Sequence, residues 1–242
     1  MAHSKLDAEV KSLIQPIGEE RQNARGWKVT IDGAPVSKIS HIVVDNARFG
    51  VLAYGLTPGG YDGWSFREVA GGGVVILPFI LRDGGLHVGL VRQHRHNQGG
   101  DVWNAPRGFV DPGETHEAAG AREFREETGV HATSLHPRML SGEAANPNSA
   151  FFETPLPGMG VRFAAVELGT DDVELRDGRW VVRRQLVDDS AAAANHRRAE
   201  MIASCQFFPW HEAACFADMF TNAAVARLLA HLHGAGRLTL RE

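Results

Sequence analysis

The chain has little cysteine. Cys205 and Cys215 are the only two, ten residues apart. That spacing makes neither a disulfide framework nor a zinc pair, and it reads as two reduced thiols in a cytosolic protein. A basic excess is also missing. Lys plus Arg number 25 against 29 Asp plus Glu, a formal net charge of -4, which argues against a dedicated nucleic-acid binder. All four lysines (Lys5, Lys11, Lys28, Lys38) precede residue 39, a bias that carries no functional reading. Long apolar runs are absent. The longest, Val74 to Leu81, is too short to span a bilayer and contains Pro78, and the charged stretch from Met1 to Gln22 does not read as a signal peptide. There are no internal repeats.

What is present is ordinary for a globular chain. The 242 residues are 43% apolar and 22% charged, enough for one domain or two and for a buried core. Residues 4–20 read as a weakly amphipathic helix with Leu6, Val10, Leu13 and Ile14 on one face. From Trp27 to Glu68 the pattern turns to short β-like runs: Trp27–Ile31, Ser37–Val44, Phe49–Tyr54 and Trp64–Val69. This predicts a small antiparallel N-terminal sheet over 1–70, followed by a second domain over 71–242. There, Val74–Leu81 and Leu86–Val91 flank Asp83-Gly84-Gly85 as a hairpin. Thr115–Thr128 is the clearest helix, with Gly129 at its C-cap. Further strands are expected at Thr133–Leu140, Gly160–Leu168 and Gln206–Trp210, and helices at His211–Ala217 and Thr221–His233. Residues 170–198, polar and Ala-rich, read as a long excursion from the core. The order of elements predicts a mixed α/β domain.

The stretch Gly108 to Val130 carries the chemistry. On a helix, Glu123 lies three and four residues from Glu126 and Glu127, so these carboxylates share one face with Cβ atoms about 5–6 Å apart. Like charges so close repel unless a cation neutralises them, and Mg²⁺ or Mn²⁺ takes carboxylate and carbonyl oxygens while keeping waters for substrate phosphates. A solvated acidic face with Arg122 and Arg125 as partners is the bland alternative.

The flanking positions decide between them. The segment fits Gly-x5-Glu-x7-Arg-Glu-(apolar)-x-Glu-Glu-x-Gly-(apolar) throughout, and so resembles the Nudix hydrolases. From average residue frequencies, a chance match at a given start is below about 10⁻⁷. The resemblance implies an α/β/α sandwich with a mixed sheet, and a loop–helix–loop that carries metal. Glu123 and Glu127 would be the main ligands and Glu126 would assist, with the backbone carbonyl of Arg107 as a further ligand. Arg122 would orient the glutamates and Glu114 would brace the loop. The family hydrolyses a nucleoside diphosphate linked to another group, using divalent metal.

Other segments resemble the ADP-ribose pyrophosphatase branch: Phe66-Arg67-Glu68-Val69, Val91-Arg92-Gln93-His94-Arg95, Trp103-Asn104-Ala105-Pro106-Arg107-Gly108, Asn146-Pro147-Asn148-Ser149 and Ala217-Asp218 through Ala224. The implied activity is Mg²⁺-dependent cleavage of ADP-ribose or a related nucleoside diphosphate sugar to AMP and a sugar phosphate. The implied assembly is a homodimer whose N-terminal region helps to bind the base. Asn104 stands where many relatives carry Glu, Arg107 replaces a usually small residue, and residues 170–198 have no clear counterpart. Arg95 and Arg67 are candidates for substrate phosphate or ribose. Trp27, Trp64 and Tyr54 are candidates to stack on the base. Glu153 is the candidate general base, with Glu143 as the other choice. His94, His96 and His116 receive no role. The rival readings are another linked group (GDP-mannose, NADH or FAD, a dinucleoside polyphosphate) and a non-catalytic ADP-ribose sensor. The complete set of box glutamates argues for catalysis.

Overall fold

The computed structural model describes residues 72–238 apart from 83, 96–98, 132–134, 146–159 and 217, and before them the backbone of six strands. These are β1 (Gln15–Pro16), β2 (Thr30–Ile31), β3 (Ala34–Pro35), β4 (Lys38–Asn46), β5 (Gly50–Leu56) and β6 (Asp62–Glu68). The chain divides into two compact units, Met1–Gly72 with Ala144–Gly160, and Gly73–Glu143 with Val161–Glu242.

In the first unit, β1, β4, β5 and β6 form an antiparallel sheet in that order, and β2 pairs with β3. The helix expected over 4–20 does not hold at Gln15 and Pro16, which pair with Ile42 and His41 as a strand. The rest of that expectation lies outside the described residues. Pro16 explains the loss locally, since a proline without an N–H interrupts a helix yet is tolerated in a short strand.

The second unit is built on β7 (Gly73–Arg82) and β8 (Gly85–Arg95). They pair only near their turn, from Phe79–Val88 to Arg82–Gly85. Beyond that the hairpin opens. Then β9 (Gly100–Asn104) pairs with the far half of β8, and β10 (Arg107–Phe109) with the start of β7. Next come helix α1 (His116–Thr128), β11 (Arg138–Met139) and β12 (Arg162–Glu167), the last running parallel to β7. The chain continues through β13 (Val173–Arg176), β14 (Arg179–Val182), α2 (Ala191–Ala199), β15 (Gln206–Pro209), the single turn α3 (Trp210–Ala213) and α4 (Met219–Gly234). The main sheet order is β11-β12-β7-β8-β15-β14-β13.

Residues 73–80 of β7 are all buried, as a central strand covered on both faces requires. One face meets α1, where a Cβ on Gly120 would lie 3.5 Å from Val74 and 3.9 Å from Ile76. The other face meets α4, whose Arg227 lies over the ring of Phe163, the register partner of Val75. The unit is therefore the α/β/α sandwich expected, with a mixed sheet. Among the described residues, no helix is long and apolar enough to cross a membrane.

Two expectations are corrected here. The strand expected over Thr133–Leu140 reduces to Arg138–Met139. Its described neighbours 135–137 are not in a strand, and Pro137 cannot donate to a ladder. The larger correction concerns residues 170–198. They are not an excursion: β13 and β14 extend the main sheet, Val173 and Val182 enter the core, and Trp180 pairs with Phe207. The turn between them is Asp177-Gly178, with φ of 50° and 76°, the two positive values of a tight hairpin turn. That pair was the available signal. Arginines at 176, 179, 183 and 184 and the exposed Leu175 obscured the alternation around it.

Candidate active site

Helix α1 starts and stops where its sequence dictates. Thr115 caps the N-terminus by accepting the Ala118 N–H at 3.2 Å. Gly129 closes the C-terminus in the left-handed conformation, its N–H donating to the Arg125 carbonyl. Glu114 holds the loop before the helix, accepting the Asp111 N–H at 3.0 Å and the Arg122 Nε at 3.1 Å.

Arg122 is the hub of this face. Its Nη1 donates to Glu123 Oε1 at 2.6 Å and to Glu126 Oε2 at 3.2 Å, and its Nη2 to the Phe109 carbonyl and to Glu114, both at 2.9 Å. Hydrogen bonds to the glutamates raise the Arg122 pKa above its ordinary value, and the Arg122 bond holds Glu114 below the usual carboxylate range. Glu123 and Glu127 are buried, at 7% and 5% exposure.

Strand register aims β10 at them. The Ile76 N–H donates to the Pro106 carbonyl at 2.8 Å, so hydrogen-bonded pairs alternate through Pro106 and Gly108, and Arg107 opposite Val75 turns both main-chain groups away from β7. Its N–H accordingly donates to Glu127 Oε2 at 2.9 Å. Its carbonyl leaves the strand on that same side. Gly108 points at α1, and a Cβ there would stand 1.9 Å from the Glu123 carboxyl carbon.

Among the described residues, no three His, Cys, Asp or Glu side chains form a ready cage for an ion. Arg122 engages Glu123 and Glu126 instead. The donor set nonetheless suits a hard divalent cation. Two buried carboxylates and a strand carbonyl face a common region, and the bare Gly108 leaves the space in which the Glu123 carboxyl sits.

The electrostatics agree. Burial pushes the Glu127 carboxyl up to about 8, against the Arg107 N–H bond. Burial also raises Glu123, against its bond to Arg122. A carboxyl whose folded pKa exceeds its unfolded value binds a proton in the fold that the unfolded chain has released. Its stabilising contribution is therefore present at low pH and is lost as pH rises through the folded value. The melting temperature of EDTA-treated protein is expected to fall between pH of about 4.5 and about 8, and the Glu127→Gln protein to fall less over that range. An equal fall in both proteins would contradict this origin.

Arg95 ends β8 beside this face. Its Nη2 donates to Asn104 Oδ1 at 3.0 Å, and Asn104 Nδ2 donates to the Val91 carbonyl at 3.2 Å. Burial and the nearby Arg107 charge lower the Arg95 pKa, and its Nε is buried without a hydrogen-bond partner. Of the other predicted residues, Glu143 is exposed, and His94 contacts Asp101 at 2.9 Å. Trp64 and Arg67 occupy β6 opposite Tyr54 and Val51. Trp27, Glu153 and His96 lie outside the described residues.

Several contacts of the site are not legible in the sequence. Asp218 is hydrogen-bonded to Arg107, and Thr221 to the Ala105 N–H. His196, on α2, acts electrostatically on Glu123, and Glu200 acts on Arg95. Asp218 and Thr221 could have been found as an N-cap and its partner three residues on. His196 falls in the 170–198 segment, and Glu200 lies just beyond it, where no pattern in the sequence marks it.

The chain is similar to known proteins. The family model described as the NUDIX domain matches residues 72–229. Nudix hydrolase 19, chloroplastic, of Arabidopsis thaliana is 29% identical over 133 residues, which are 55% of this chain and 29% of that protein. NAD-capped RNA hydrolase NudC of Pasteurella multocida is 34% identical over 92 residues, 38% of this chain and 32% of that protein. The matches span about a third of the length of these curated relatives. A crystal structure of an ADP compounds hydrolase aligns with a TM-score of 0.45 at 18% identity, covering 81% of this chain and 92% of that one.

Proposed function

Because the chain belongs to the NUDIX family, we propose that it is a Mg²⁺-dependent hydrolase that cleaves the pyrophosphate of ADP-ribose or a related nucleoside diphosphate sugar, giving AMP and a sugar phosphate. The observation that carries this reading is the meeting of buried Glu123 and Glu127 with the Arg107 main chain across the bare Gly108. Glu123, Glu127 and the Arg107 carbonyl would hold the metal, with Glu126 assisting. Bound there, the ion supplies charge neutralisation on the phosphate oxygens and a lowered pKa for water.

The other roles belong to the chain itself. Arg122 restrains the Glu123 and Glu126 carboxylates by hydrogen bonds to both. Arg95, oriented by Asn104, offers its charge to a phosphate oxygen. Glu153 is the candidate general base read from the sequence, with Glu143 as the other choice. Asp218 and Glu200 are carboxylates that the described residues add near Arg95.

A second reading keeps the reaction and changes the leaving half. Relatives named NAD-capped RNA hydrolases, at 34% identity over 92 residues and 33% over 94, point to a dinucleotide such as NADH, which also contains an ADP moiety. One panel separates the two. ADP-ribose, GDP-mannose, NADH, FAD and diadenosine polyphosphates are incubated with enzyme and Mg²⁺, and products are resolved by chromatography. AMP formed fastest from ADP-ribose supports the first reading, and NADH in front supports the second. Ligand binding without any product under Mg²⁺ or Mn²⁺ would make the protein a sensor.

A further inference from the structure

Arg107 departs from the small residue common at its position, and the structure gives its side chain a partner. Opposite Val75, it projects to the α4 face, where Nη1 donates to Asp218 Oδ1 at 2.7 Å. The side chains are 19% and 7% exposed. Asp218 Oδ2 accepts the N–H and hydroxyl of Thr221 at 3.0 and 2.7 Å, and Thr221 Oγ1 in turn accepts the Ala105 N–H at 2.8 Å. The start of α4 thus grips the 105–107 segment at two points. The main chain of that same Arg107 meets Glu127 on the α1 side.

We propose that Asp218 is a positioning residue. Through the Arg107 guanidinium it fixes the Arg107 main chain, and so the distance between that strand and the Glu127 carboxylate. The physical ground is the burial of the pair. Buried against the start of α4, the ion pair holds the Arg107 side chain in one place and so limits the main chain that carries it, and loss of either partner frees that restraint. Asn at 218 retains an oxygen to cap α4 and removes the charge. In its bearing on metal the proposal rests on the metal-site reading above. In its bearing on the strand it does not.

The test compares wild type, Asp218→Asn, Arg107→Met and the double variant, without substrate. Amide exchange at residue 107, followed by NMR in EDTA, is expected to quicken about tenfold in each single variant, and Mn²⁺ affinity to fall about 10–100-fold, the range for residues that orient metal ligands. Because the two residues act as a unit, the double variant is expected to be no worse than the weaker single. In turnover assays kcat is expected to drop at subsaturating Mn²⁺ and to recover at saturating Mn²⁺, a rescue that loss of folded enzyme alone does not produce. Should Asp218→Asn fail to fold, Arg107→Met carries the same expectations. Exchange and Mn²⁺ affinity both within about twofold of wild type would overturn the proposal, and so would additive losses in the double variant. If wild type binds no Mn²⁺, the metal reading fails while the exchange measurement still tests the pair.

Discussion

Replacing Glu127 with Gln is expected to lower turnover of ADP-ribose under saturating Mg²⁺ by about 10²–10³-fold, equivalent to several kcal/mol of transition-state stabilisation. The substitution is nearly isosteric, and an amide oxygen can still accept the Arg107 N–H. It removes only the charge. Since burial already holds the Glu127 carboxyl up to about 8, a neutral amide suits the metal-free fold, and the variant is expected to melt no lower than wild type near neutral pH. Activity and stability therefore part company. Steady-state assay beside a thermal melt checks both. Turnover surviving within a few-fold would remove Glu127 from the metal site.

Gly108→Ala is the second large effect, and it acts by shape. The new Cβ would stand 1.9 Å from the carboxyl carbon and one oxygen of Glu123. No rotation of a methyl group relieves that. The atoms in the way belong to the end of a flexible side chain, so the carboxylate swings aside while the backbone stays. The expected cost in stability is at the low end of the overpacking range, about 1 kcal/mol. The expected cost in activity is about 10²-fold, the scale on which misplacing a reacting group by an ångström acts. A crystal structure of the variant should show Glu123 displaced with Arg122 following it. Full activity would mean that Glu123 is not needed where it stands.

Much of this was legible in the sequence where local and global signals agree. The Thr115 cap, the Ala- and Glu-rich run and Gly129 all specify one helix, and the structure places it at His116–Thr128. The hairpin at Asp83-Gly84-Gly85 was equally plain, because long apolar strands flank it. Where the two kinds of signal conflict, reading failed. Residues 170–198 carry so many charges that their alternation was hidden, yet Val173 and Val182 are core residues and their strands are held by pairing with β15. Propensity cannot reveal such pairing, because the partner is remote in sequence.

The site divides the same way. The carboxylates of one helix were visible from their spacing. The Arg107–Asp218 contact joins residues 111 apart, and no local pattern encodes it. Asp218 stands in the sequence only as part of a segment that resembles the branch, and in the structure it also caps α4 by accepting the Thr221 N–H. Arg107 looked like a substitution at a position where only the main chain counts. Strand register resolves both. Alternation along β10 sends the Arg107 side chain to the α4 face, while the pairing register turns its N–H in the sheet plane away from β7, to Glu127.

The most direct test is a calorimetric titration of purified, metal-free protein with Mn²⁺, with and without a non-hydrolysable ADP-ribose analogue, beside the Glu127→Gln variant. Saturable binding by wild type, tightened by the analogue and weakened more than about tenfold in the variant, is the result expected of a carboxylate metal site. No uptake of Mn²⁺ or Mg²⁺, even with the analogue present, would contradict it.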